Sequence, residues 1–214
     1  TIDEIPVKDK SKSVIRDLLT GQSGTSVLVE VNRLSVGRIK KEIIRENITL
    51  KNVAYSGVID DIGYIKLVSF TPKAGKEVRD AVLKFKNQGV QKLVLDLRNN
   101  GGGLLNEAIN IVNVFIPRGE LIVETRGKFP EDNRSFKTMN SPVDTETPLV
   151  VLINGNSASA SEIVAGALQD LDRAVLVGQN SFGKGLVQTT KGLSYNTSMK
   201  ITTSKYYIPS GRLI

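Results

Sequence analysis

Residues 148–171 read PLVVLINGNSASASEIVAGALQDL. A compact apolar run opens the stretch, suited to a strand buried on both faces. Asn154 to Asn156 break the run, and from Ser161 to Leu171 the apolar residues return at helical spacing. The same strand–turn–helix pattern occurs upstream. Leu93, Val94, Leu95 and Leu97 lie in a short apolar run over 92–97, glycines interrupt at 101–103, and Leu104 to Phe115 is helical in spacing. Ile62 to Phe70 alternates as a strand, and Gly75 to Gln88 carries Val78, Ala81, Val82 and Phe85 one helical face apart. Ala174 to Val177 forms a third strand. Strands alternating with helices need crossover connections, so the fold class is α/β. Arg126 to Thr147 reads as a long polar excursion from this pattern.

Toward the N-terminus the pattern changes. Ile2, Ile5 and Val7 suggest a short strand, Ser13 to Leu19 a helix, and Val27, Val29 and Val31 a half-buried strand. Three such short elements bury too little to be a stable domain by themselves. Val36 to Asn47 is charged and extended. The expected organisation is a small αβ unit over 1–33, a connecting ribbon over 34–55 and a main domain over 56–214. Thr1 is followed by no charged-then-apolar leader, and the first residues read as the middle of a longer protein.

Composition narrows the chemistry. The 214 residues carry a net charge of +7, but the lysines and arginines are scattered, with no basic block and no interleaved aromatics for stacking bases. Nucleic acid is therefore not an expected partner. Without cysteine there is neither a disulfide framework nor a thiolate metal site. Without histidine, Ser-His-Asp and Cys-His catalysis are excluded within the chain, as are nearly all zinc hydrolase arrangements. A hydrolase of this composition needs a lysine or a carboxylate as its base.

Chemistry can sit in three places. In Asn154-Gly-Asn-Ser-Ala-Ser-Ala-Ser-Glu162 a serine stands at a strand end before a helix, where amides can stabilise negative charge. Ser159 to Glu162 also matches the capping pattern S-x-x-E, a purely structural alternative. Gly178-Gln-Asn-Ser-Phe-Gly-Lys184-Gly185 nearly matches a phosphate-binding loop. It has Gly185 where a hydroxyl should hold magnesium, and a β-rich rather than helical continuation, so a nucleotide is not expected. Asp96-Leu-Arg-Asn-Asn-Gly-Gly-Gly103 runs from a strand into glycines able to aim amides at an anion, or into a plain glycine turn. Together they complete one mechanism: a serine, a lysine as its base, and glycine-bearing turns for an oxyanion.

At these residues the chain resembles the C-terminal processing, or tail-specific, peptidases. The motifs are those around Ser157 to Ile163, Ser181-Phe-Gly-Lys-Gly185, Asp96 to Gly103 and the closing Thr202 to Arg212. The resemblance implies Ser159 as nucleophile, Lys184 as general base, Gln188 orienting the lysine, and the amides of Gly103 and Ala160 as the oxyanion hole. It implies a crotonase/ClpP-like core of stacked βα units preceded by a partial PDZ domain, with residues 1–33 as that domain's C-terminal half. It further implies polypeptide substrates recognised at their C-termini, no metal, nucleotide or other cofactor, and a bacterial cell-envelope location. Peripheral membrane association and oligomerisation of the full-length protein are compatible with it. Because a free lysine is charged at neutral pH, a lysine base is expected to be buried, here near Phe182 and within hydrogen-bond reach of Ser159. Two other readings use the same residues: a catalytically silent peptide-binding protein, and an acyl-CoA enzyme of the crotonase type, which has no role for Ser159 with Lys184.

Overall fold

The computed structural model describes residues 1–48 and 51–214, and the chain divides into two compact units, Thr1–Leu50 and Lys51–Ile214. In the first, helix α1 (Lys12–Leu19) begins at Ser11, whose hydroxyl accepts from the Val14 amide. Strands β1 (Ser26–Arg33) and β2 (Gly37–Ile44) form an antiparallel hairpin paired from Ser26↔Ile44 to Arg33↔Gly37. The Arg45 guanidinium donates to the carbonyls of Leu18, Leu19 and Ser26, tying the helix end to the hairpin. Among the described residues of this unit, Ile2 and Val27 are the buried apolar side chains.

Two expectations for this region are corrected. The strand expected at Ile2, Ile5 and Val7 is a tight turn, with Asp3 and Glu4 at positive φ and isolated bridges joining Ile2 to Ile5 and to Val29. The ribbon expected over 34–55 is divided: 37–44 is β2, paired along its whole length, and residue 53 already begins the first strand of the second unit. Charged residues on both faces of β2 hid its pairing. Residues 49 and 50 of that ribbon lie outside the described residues.

The second unit contains a five-stranded and a four-stranded sheet. β3 (Val53–Ile59) and β4 (Ile62–Leu67) form an antiparallel hairpin, and α2 (Ala74–Asn87) leads to β5 (Leu93–Asp96). Helix α3 (Leu105–Phe115) follows, then β6 (Leu121–Gly127), a 3₁₀ turn at Pro130–Asp132, and β7 (Arg134–Lys137). β8 (Leu149–Ile153), α4 (Ala160–Asp170), β9 (Ala174–Gly178), β10 (Leu186–Gly192) and β11 (Ser198–Tyr207) complete it. The larger sheet has the order β3-β4-β5-β8-β9, parallel from β4 onward; the smaller is antiparallel in the order β10-β11-β6-β7.

Alternation decides the packing. Ile65, Leu67, Leu93, Leu95, Leu149 and Val151 are buried in one core with Val78, Phe85, Ile111, Phe115, Ile163 and Leu168 of the three helices. Each such side chain contributes about 1.5–3 kcal/mol relative to exposure. The alternate positions of β4 and β5 face the other way, and the parallel register sets Lys66 directly beside Asp96. Within the expected polar excursion, β7 pairs with β6 as an edge strand; three of its four residues are exposed.

Candidate active site

Adjacent parallel strands β5 and β8 end side by side, so the loops that follow them meet. Hydrogen bonds stitch the two loops together. The Ser157 hydroxyl donates to the Leu97 carbonyl at 2.8 Å, the Ala158 amide to the Asn100 carbonyl at 3.1 Å, and the Ser161 hydroxyl to the same carbonyl at 2.9 Å. Asn100 is fully buried; its amide group donates to the Leu67 carbonyl and its oxygen accepts from the Gly102 amide. The sequence placed all of these residues inside its two motifs without giving them this bracing role. The only signal was their density, since Asn and Ser crowd two turns that needed polar partners for buried backbone.

Ser159 sits at the bend between β8 and α4 with φ 57° and ψ −113°, a backbone conformation strained for any side-chain-bearing residue. Its amide donates to Glu162 Oε2 at 2.7 Å, and its carbonyl accepts from the amides of Glu162 and Ile163. The carboxylate half of the capping pattern is thus in place. The Glu162 amide donates to the Ser159 carbonyl at 2.8 Å, and Ser159 and Glu162 together make the reciprocal capping box. An ordinary N-cap has extended backbone, so capping does not account for the strained bend at Ser159.

The glycine loop closes against this bend. A Cβ on Gly102, which has φ +91°, would stand 2.5 Å from the Ala158 carbonyl oxygen and 2.9 Å from both the Ala160 nitrogen and Ser159 Cβ. Only glycine permits that approach. Gly103 bridges Phe70: the Gly102 carbonyl accepts from the Phe70 amide, and the Phe70 carbonyl from the Leu104 amide. The Gly102 amide is engaged by Asn100, whereas the amides of Gly103 and Ala160 donate to no acceptor among the described residues.

Glu162 does more than cap. Its side chain is 5 % exposed, and besides Ser159 it accepts from the Ser181 hydroxyl at 2.7 Å, the Gly183 amide at 2.6 Å and the Lys184 amide at 2.9 Å. One carboxylate therefore holds the backbone of Ser159 and the whole Ser181–Lys184 loop. The amides of Ser159 and Lys184 share a single oxygen, which sets them on the order of 5 Å apart.

Lys184 departs from expectation. Its side chain and that of Phe182 are exposed, and it has no hydrogen bond to Ser159 or Gln188 among the described residues. The physical reason is an anchored backbone. The Lys184 amide is bound by Glu162, while the Gly185 carbonyl accepts from the Tyr206 amide and Gly185 packs against Ile214. Pinned on both sides, the residue turns its side chain outward. Gln188 is also exposed, beside a β-bulge in β10.

A third cluster sits at the end of β5. Asp96 accepts from the Arg98 guanidinium and amide, from the Tyr64 hydroxyl at 2.5 Å, and from Lys66 at 2.9 Å. Burial alone would raise its carboxyl, but the hydrogen bonds from Arg98, Tyr64 and Lys66 outweigh it and hold the group well below the usual carboxylate range. Burial, and then the hydrogen bond to Asp96, push the Tyr64 hydroxyl up. Because the folded-state value is depressed, the stabilisation is complete above the unfolded value near 4 and is lost as pH falls below it. Asp96→Asn is therefore expected to lower the denaturation midpoint at pH 7 and to flatten its decline between about pH 4 and pH 2, measured by circular dichroism.

Residues 61–214 match Peptidase family S41. The chain belongs to this family. Among curated relatives of the S41 chain, the carboxy-terminal-processing protease of Bartonella bacilliformis is 41% identical over the whole chain and 50% of its own length. The carboxy-terminal processing protease CtpA of Bacillus subtilis is 38% identical over 92% of the chain and 42% of its own. The solved photosystem II D1 C-terminal processing protease superposes with a TM-score of 0.66 at 32% identity, covering 99% of the S41 chain and 58% of that protein. The chain thus spans about half the length of the curated relatives it matches.

Proposed function

We propose that this S41 chain carries the catalytic core of a serine endopeptidase cutting polypeptides near their C-termini, with Ser159 as nucleophile and Lys184 as general base. The observation that carries the reading is the strained Ser159 bend, with the Gly103 and Ala160 amides beside it donating to no acceptor among the described residues. The Ser159 hydroxyl attacks the scissile carbonyl and passes its proton to the Lys184 amine. The carbonyl oxygen becomes an oxyanion held by the Gly103 and Ala160 amides. Collapse expels the amine, which takes the proton from Lys184, and water then releases the acyl group by the same route. For this step the Lys184 side chain must turn inward from its exposed position, toward a Ser159 whose amide shares a Glu162 oxygen with its own. Turning inward also removes the ammonium from water and favours the neutral form. Gln188 would then orient it.

The outward Lys184 favours a second reading, a protein that holds peptides on this fold without cutting them. The wider expectations remain part of the proposal: a PDZ-derived first unit, a crotonase/ClpP-like core, C-terminal recognition and a bacterial envelope location. A fluorophosphonate separates the two readings, since it bonds an activated serine oxygen and releases fluoride. Incubated with the chain, alone and within the complete gene product, it is expected to label Ser159, located by peptide mapping, with casein cut in parallel. Ser159 unlabelled in both forms, with casein intact, leaves the peptide-binding reading standing.

A further inference from the structure

Two asparagine–glycine pairs, Asn100-Gly101 and Asn154-Gly155, stand in the two loops that meet at the candidate site. We propose that Asn100 is a positioning residue for the oxyanion, holding the Gly103 and Ala160 amides at one spacing, and that Asn99 and Asn154 hold the same loops from the solvent side. This rests on the peptidase reading above. Asn100 reaches both arms at once. Its carbonyl accepts from the Ala158 amide at 3.1 Å and the Ser161 hydroxyl at 2.9 Å, gripping the chain on either side of Ser159 and Ala160. Its side-chain oxygen accepts from the Gly102 amide at 3.0 Å, one residue before Gly103. Its side-chain nitrogen donates at 3.0 Å to the carbonyl of Leu67, the last residue of β4. Both amides are thus referred to one residue, and that residue to the sheet.

The partners explain the residue type. One short planar group must accept from an N–H and donate to a C=O, and because Asn100 is fully buried that group must be uncharged. Aspartate lacks the donor and sets a charge against a developing oxyanion; alanine leaves the Gly102 amide and the Leu67 carbonyl without these partners. On the solvent side the pairing is reciprocal. The Asn99 backbone amide donates to the Asn154 side-chain oxygen at 2.9 Å, and the Asn154 side-chain nitrogen to the Asn99 side-chain oxygen at 2.9 Å. Asn99 does this at φ 63°, a left-handed backbone that asparagine tolerates better than most residues. Oxyanion donors act only where their N–H groups meet the tetrahedral oxygen, and a displacement of about 1 Å costs on the order of 100-fold in rate.

The test separates binding of the ground state from binding of the tetrahedral state in the complete gene product. A peptide boronic acid takes the Ser159 oxygen onto boron while the hydroxyl proton passes to Lys184, and the tetrahedral adduct places an oxygen between the two amides. Asn100→Ala is expected to weaken its binding about 100-fold and to lower kcat by a similar factor, while KM moves by less than about threefold. An uncleaved peptide bound on a Ser159→Ala background, read by fluorescence anisotropy, should keep its affinity within about threefold. Asn154→Ala is expected to show the same split at about tenfold. A merely structural role would weaken peptide and boronate together. Equal losses of the two affinities, or cutting by Asn100→Ala at the parent rate, overturn the positioning assignment and leave the peptidase reading intact. A parent protein that neither cuts casein nor binds the boronate overturns both. Should Asn100→Ala fail to fold, Asn154→Ala decides the matter, and unchanged boronate affinity there overturns the assignment.

Discussion

Ser159→Ala is expected to reduce casein cleavage by a factor on the order of 10⁴ to 10⁶, to the level left by substrate binding and the oxyanion donors. The size follows from covalent catalysis: without the oxygen there is no acyl-enzyme, and water must attack directly. Lys184→Ala is expected to fall by a similar factor, because nucleophile and base act as a unit and removing either removes the same step. The double variant should therefore be no worse than either single one, which gel-based cleavage assays at matched protein concentration can read. Lys184→Arg is the more telling substitution. It preserves charge and approximate reach but supplies a group that does not deprotonate at working pH. Activity retained in Lys184→Arg would show the residue acting through its charge alone. The melting midpoint of Ser159→Ala should fall only slightly, by the loss of one helix cap of about 1 kcal/mol.

Glu162→Ala carries the second largest expectation, and it differs in kind. Four donors converge on this carboxylate, three of them backbone amides that cannot turn elsewhere. Each buried donor left without a partner costs about 1–3 kcal/mol, so water entering the vacated space limits the total to about 3–5 kcal/mol. The same loss frees the Ser181–Lys184 loop from the Ser159 backbone, and cleavage should fall at least 100-fold. Glu162→Gln separates the two effects. It keeps the volume and one acceptor oxygen but turns an NH₂ group toward N–H donors. Thermal denaturation should show a smaller loss of stability than for alanine, while cleavage should remain severely reduced. If Glu162→Gln cleaves like the parent, the carboxylate is only a helix cap.

The parts of the fold that could be read from residue order are those whose signal is local. β5, β8 and β9 lie in short apolar runs, and α2, α3 and α4 repeat their apolar residues at helical spacing. β2 and β7 were harder because their pairing depends on a partner strand rather than on burial; β2 exposes seven of its eight residues. At the site, the absence of histidine pointed to a lysine or carboxylate base, and the roles of Ser159 and Lys184 came from the resemblance to the C-terminal processing peptidases. Glu162 was visible as a cap and nothing more, since S-x-x-E carries no information about a loop about twenty residues downstream. The direction of the Lys184 side chain was illegible for the same reason. It is set by where Tyr206 and Ile214 hold Gly185, contacts far away in the chain.

The two arms of the site are attached to the protein in unequal ways. The nucleophile's bend is bonded to the backbone carbonyls of Leu97 and Asn100, so the buried framework that gives the sheet its shape also builds the bend. The loop bearing the lysine is tied to that bend mainly through one carboxylate and the Phe182–Ser157 backbone bond. For a lineage of such proteins, this means that chemistry and architecture are inherited with different security. A descendant can discard its reaction through a few changes in one loop and keep the scaffold whole, free to be selected for holding what its ancestors cut.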